Sequence, residues 1–149
     1  RDCRYMVTRS EMTGLQGWFL NRLGCFPIDQ GKPSLASLRF AVDLLISRQQ
    51  LVVFPEGRIN RTGEPIKLKK GLIRLAQLAS NKGLEIKIVP VGLAYSEVIP
   101  KFCGSASICF SKPIIISKDC KQSTNDFNIN LFKSMRSAEQ SALLAIGRR

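Results

Sequence analysis

Leu51-Val52-Val53-Phe54-Pro55-Glu56-Gly57-Arg58-Ile59-Asn60-Arg61 is the stretch on which the rest of this chain turns. Four apolar residues in a row describe a strand buried on both faces, as inside a parallel sheet. The run then stops in a proline, an acid, a glycine and two arginines. Open α/β sheets keep their ligand sites at such strand ends. Gly57 permits a tight turn and a close backbone approach. Glu56 offers an acceptor for a substrate hydroxyl, and Arg58 or Arg61 a planar, permanently charged fork for phosphate or carboxylate. The stretch therefore reads as a site for an anionic substrate; the alternative is a surface turn closed by a Glu–Arg ion pair.

Outward from this point the elements alternate. Tyr5-Met6-Val7 is a short strand, and residues 15–23 carry Trp18, Phe19, Leu20 and Leu23 as a helical core stripe closed by Gly24. Pro27 disfavours helix at Phe26, so residues 26–29 are extended. Ser34 is an N-cap for a helix with Leu35, Leu38, Val42, Leu45 and Ile46 at helical spacing. Residues 71–80 form another helix with Leu72, Leu75, Ala76 and Ala79 on one face. Ile86, Ile88, Val89 and Val91 mark a strand, and residues 107–110 and 114–117 a strand pair around Lys112-Pro113. Residues 118–125 read as a polar loop before a closing helix with Leu131, Phe132, Met135, Ala142, Leu143 and Ile146. This order predicts an α/β fold: a mixed, mainly parallel sheet flanked by helices, in a single domain over residues 1–149.

Composition limits the chemistry. There are 23 Lys+Arg, 11 Asp+Glu and no histidine, so no imidazole base is available from these residues. The net charge of +12 favours nucleic acid, anionic headgroups or phosphorylated small molecules as partners. Five cysteines (Cys3, Cys25, Cys103, Cys109, Cys120) form no C-x-x-C pair; without histidine no metal site is expected, and reduced thiols are. No apolar run approaches the roughly 18 residues needed to span a bilayer. The first residue is Arg1, with no start signal for a helix or strand, which reads as an internal segment of a longer protein.

Two further clusters can join the same pocket. Lys67-Leu68-Lys69-Lys70-Gly71 leads into a helix whose free N-terminal amides attract anions. Lysines there oppose the helix dipole, a cost that an anionic ligand would offset. A solvated charge run is the bland alternative. Gly24-Cys25-Phe26-Pro27-Ile28-Asp29-Gln30 and Val89-Pro90-Val91 say little on their own.

Taken in order, these segments resemble the glycerolipid acyltransferase family. Its members carry a His-x-x-x-x-Asp block, a glycine-led block ending in Asp or Asn and Arg, a Phe-Pro-Glu-Gly block followed by Thr or Ser and Arg, and a Val-Pro-hydrophobic strand. Residues 24–30 resemble the second block, residues 54–58 the third, and Val89-Pro90-Val91 the fourth. Lys69-Lys70-Gly71 is similar to the family's basic segment, and Tyr5-Met6-Val7-Thr8-Arg9 to the strand ending in a basic residue near the substrate phosphate. Gly17-Trp18-Phe19-Leu20 fits the run into the second block. Gln30 stands where the family usually has arginine, and Arg58 follows Gly57 directly, so the family arginine maps first to Arg58 and second to Arg61.

The resemblance implies transfer of a fatty acyl group from a thioester to the hydroxyl of a lysophosphatidate-type acceptor. Substrate binding falls to Glu56, Gly57, Arg58, Arg61, Arg9, Lys69 and Lys70. No catalytic residue is expected in this chain, since block order puts the histidine base and its aspartate upstream of Arg1. Glu56 is a poor substitute, because a carboxylate beside arginine keeps a low pKa. No cofactor is implied beyond acyl-CoA or acyl-carrier protein as donor. The expected partners are the lysophospholipid acceptor, that donor and an anionic membrane surface, with the protein at the cytoplasmic face of a membrane, peripheral or anchored by a segment outside this chain. A catalytically inactive lipid-binding or interaction module is the rival. A nucleic-acid binder ranks last, because Trp18 falls on the stripe assigned to the core.

Overall fold

The computed structural model describes residues 3–29, 31, 33–57, 67–97, 99–117 and 123–148. Arg58, Arg61, Gln30, Cys120 and the expected turn over 60–65 lie outside the described residues. The chain forms two compact units, Arg1–Leu84 and Glu85–Arg149.

The first unit contains β1 (Cys3–Thr8), a 3-10 turn (Arg9–Glu11), α1 (Gly14–Arg22), β2 (Cys25–Ile28), α2 (Leu35–Ile46), β3 (Gln50–Val52) and α3 (Gly71–Asn81). The sheet order is β2-β1-β3, and both pairings are parallel. Parallel neighbours need a crossover, and α1 and α2 supply them. All three strands therefore end on one edge. Ser34 caps α2 as the sequence predicts, its Oγ accepting from Ser37 N at 3.1 Å. The buried side of α2 is Ala41, Val42 and Leu44, while Leu35 and Ile46 are exposed. α3 buries Ile73, Leu75, Ala76 and Ala79. The expected strand over 51–54 leaves the ladder after Val52. Pro55 has no N–H to continue it and holds Phe54 extended.

The second unit contains β4 (Ile86–Ile88), β5 (Val91–Tyr95), β6 (Ala106–Phe110), β7 (Ile114–Ile116) and α4 (Thr124–Ala145). The expected strand over 86–91 is two strands broken at Val89-Pro90, and β6 and β7 pair with those halves instead of with each other. β5 pairs with β6 and β4 with β7, both antiparallel. The four segments are one long hairpin with an irregularity in its middle. Val91 faces Phe110 and Ile88 faces Ile114, so Val89-Pro90 stands opposite Ser111-Lys112-Pro113. The extra residue makes a bulge, and the two prolines lie where ladder hydrogen bonds are already interrupted. Ser111 N donates to Pro90 O at 2.9 Å and keeps the arms together there. α4 lies across β5 and β6 and buries Phe127, Leu131, Ala138 and Ala142. It starts at Thr124, inside the stretch assigned to a polar loop, because the Ser123 side chain accepts from Asn125 N and Asp126 sits in the first turn. Among the described residues no helix is long and apolar enough to cross a membrane.

Candidate active site

The C-terminal edge of the parallel sheet collects the described residues of the expected site. β1 and β2 are in register up to Thr8 opposite Ile28, so the next residues, Arg9 and Asp29, leave the sheet side by side. Arg9 Nε donates to both carboxylate oxygens of Asp29, at 2.9 and 3.2 Å. That hydrogen bond, and then the carboxylate's charge, raise the guanidinium pKa above its ordinary value. The pair is on the surface, with the two side chains 59% and 43% exposed, so it contributes little to stability. What it provides is orientation. Nε is engaged, and the two terminal nitrogens of Arg9 make no hydrogen bond to a described residue. Asp29 was legible only as part of a block; its hold on Arg9 depends on strand register across 20 positions, and no local signal carries that.

The turn beyond β3 is closed by Gly57 N donating to Phe54 O at 3.1 Å. Gly57 has φ +66°, a left-handed conformation that side chains resist. Pro55 is buried beneath the turn, and Glu56 and Gly57 are half-buried at its crest. Pro55 O accepts from Lys69 N at 2.7 Å, which ties the lysine segment to the turn despite the distance between them in sequence. Leu68 is buried and anchors that segment, leaving Lys67, Lys69 and Lys70 exposed.

α3 starts directly behind this tie. Lys70 occupies its N-cap position, no side chain caps it, and its first turn has no acid. The contrast with α2 and α4, each capped by a serine, is chemical. The N-cap side chain of α3 accepts from none of its first amides, and two lysines directly precede them in sequence, an arrangement that favours an anion. A Cβ on Gly71 would meet no described atom within 4 Å.

Glu56, Gly57, Lys69 and Lys70 are thus drawn together by one backbone hydrogen bond, and Arg9 leaves the same sheet edge. Arg58 follows Gly57 in sequence; it and Arg61 lie outside the described residues. Catalysis by cysteine gains no support. Burial pushes the Cys25 thiol up from its ordinary pKa, away from the thiolate form that reacts. Cys3, Cys25, Cys103 and Cys109 are all free. Among the described residues no cluster of three His, Cys, Asp or Glu could hold a metal ion. An open depression of about 570 Å³ in the second unit is lined by Ser96, Glu97, Ile99, Lys101 and Arg148 and contains none of the expected site residues.

The spacing of the α1 stripe places it in the core, yet Trp18 is 60% exposed and Phe19 57%. The residue that α1 buries is Gly17, because a Cβ there would run into the backbone of Met12. Helical spacing shows that a stripe exists and says nothing about which side of the helix the rest of the fold covers.

The Acyltransferase family model matches residues 1–94, and the chain belongs to that family. The fold is similar to the crystal structure of the 1-acyl-sn-glycerophosphate (LPA) acyltransferase PlsC from Thermotoga maritima, with a TM-score of 0.66 and 16% identity over 94% of this chain. The chain covers 57% of that protein's length. No curated protein sequence matches the chain.

Proposed function

We propose that this chain is the acceptor-binding part of a lipid acyltransferase that acts on 1-acyl-glycerol 3-phosphate or a close analogue. The observation that carries this reading is the Lys69 N to Pro55 O hydrogen bond. It places the lysine pair and the uncapped start of α3 against the Glu56-Gly57 turn, at the sheet edge that Arg9 also leaves. A phosphomonoester matches that chemistry: two negative charges for Arg9, Arg58, Lys69 and Lys70, and oxygens for the first amides of α3. Glu56 is assigned to a glycerol hydroxyl, and Arg61 is the alternative to Arg58 at the phosphate.

In the reaction the acceptor hydroxyl loses its proton to a base and attacks the thioester carbonyl. The C–O bond forms, the C–S bond breaks, and the thiol leaves carrying a proton. These 149 residues contain no histidine, so the base is assigned to a His-x-x-x-x-Asp segment preceding Arg1. The donor is an acyl-CoA or an acyl-carrier protein, with no further cofactor. An anionic membrane surface supplies the acceptor, which puts the protein at the cytoplasmic face of a membrane.

The missing histidine favours a second reading, a lipid-binding module without turnover. The complete protein should be assayed for acyl transfer to lysophosphatidate and to lysophosphatidylethanolamine. The first reading expects kcat/KM at least about tenfold higher for the phosphomonoester, whose second charge and free oxygens the capped headgroup lacks. Equal rates contradict the phosphate assignment. Binding of lysophosphatidate without turnover establishes the second reading.

A further inference from the structure

α1 turns its smallest residue inward and its largest ones outward. Gly17 is buried and Leu20 half-buried, whereas Leu15, Trp18, Phe19 and Arg22 face away from the unit. Leu15 is 88% exposed, and Leu23, just past the helix end, 51%. A Cβ at position 17 would enter the Met12 backbone, so glycine lets the helix entry fold closely against this side. A contiguous apolar patch of this kind marks an interaction surface.

Arg22 decides which partner fits. Its guanidinium lies 4.9 Å over the Trp18 ring, in the middle of the apolar face. α1 contains no acidic residue, and the nearby Glu11 already accepts from Gln16 Nε2 at 3.0 Å. A protein groove closing over this face would bury an arginine that α1 gives no acid to pair with, at a substantial desolvation cost. A bilayer boundary asks for no such burial. The guanidinium reaches headgroup phosphates while its stem, Leu15 and Phe19 lie against the acyl region, and tryptophan is at home at that depth. The net charge of +12 complements an anionic leaflet.

We infer that α1 is an interfacial helix that seats the protein on an anionic bilayer through Leu15, Trp18 and Phe19, with Arg22 on headgroup phosphates. This deepens the lipid-acceptor reading above and rests on it for the choice of surface. Only Met12 and Thr13 separate α1 from the turn that carries Arg9, so the docked face and the sheet edge are adjacent along the chain.

Trp18 is the single tryptophan of the 149 residues and reports on its own face. The chain is mixed with vesicles of phosphatidylcholine with about one-third phosphatidylglycerol, or of phosphatidylcholine alone, each with and without brominated acyl chains. Trp18 emission shifts to the blue and is quenched by the brominated chains of the anionic vesicles. Leu15→Ser/Phe19→Ser lowers vesicle affinity at least about tenfold and Arg22→Gln about fivefold, with far-ultraviolet circular dichroism unchanged. Co-sedimentation with anionic vesicles without quenching of Trp18 overturns the inference, because another surface then docks. A concentration-dependent blue shift without lipid overturns it in favour of a second copy, and absence of binding overturns it outright. The quenching requires no turnover, so it stands or falls separately from the acyltransferase assay.

Discussion

Gly92→Ala is expected to lower the stability of the chain by about 3 kcal/mol, a large effect for one methyl group. Gly92 is buried as the second residue of β5, and α4 crosses it so closely that a Cβ would enter the backbone of Ala138 and Glu139. Backbone cannot step aside as the end of a flexible side chain can. Relief requires lifting α4 from the hairpin, which would loosen the seats of Ala138 and Ala142 as well. Gly71→Ala is the matched control: its Cβ meets no described atom within 4 Å, and it should stay within about 0.5 kcal/mol of the parent. Urea unfolding of both variants reads the difference as a shift in midpoint. A Gly92→Ala midpoint equal to the parent's would mean that α4 does not lie on β5 in this way.

Arg58→Ala in the complete protein is expected to reduce kcat/KM for lysophosphatidate by about 100-fold, the cost of a lost charge-assisted phosphate contact. Arg58 directly follows Gly57, whose left-handed turn redirects the chain at the sheet edge. The loss should fall mainly on the KM of the acceptor, because a phosphate distant from the reacting hydroxyl is held alike in ground and transition states. It should be much smaller for an uncharged monoacylglycerol. Arg39→Ala, an exposed change on α2, serves as the control and should leave both parameters near the parent's. Parent-like kinetics for Arg58→Ala would remove this residue from the site and leave Arg61 to be tried.

The α/β class and most elements of the first unit were legible because their signals are local. Ser34 before an apolar repeat marks where α2 begins, and the apolar run into Pro55-Glu56-Gly57 marks β3, an edge strand of the sheet, and the turn that ends it. Ser123-Thr124-Asn125-Asp126 was an equally local helix-start signal, hidden in a stretch whose polarity suggested a loop. The break at Pro90 was also within reach, since a central strand cannot use that residue as a donor. Other features depend on what packs against what. The outward face of α1 is the one left by its packing against β2. The contact between Gly92 and α4 joins residues far apart in sequence. For the candidate site, Glu56, Gly57, the two arginines after it and the lysine pair were readable from residue type and spacing and Arg9 only from the family resemblance, whereas the tie from Lys69 to Pro55 and the grip of Asp29 on Arg9 follow from chain path and register.

If the C-terminal edge of the parallel sheet cradles a phosphate, titration of the isotopically labelled chain with glycerol 3-phosphate will show it amide by amide. The backbone amides of Gly57, Gly71 and Leu72 should shift saturably, while those of α4 stay in place and glycerol alone moves none of them. If these three amides stay put at phosphate concentrations that perturb some other part of the chain, the cradle is not where this account puts it.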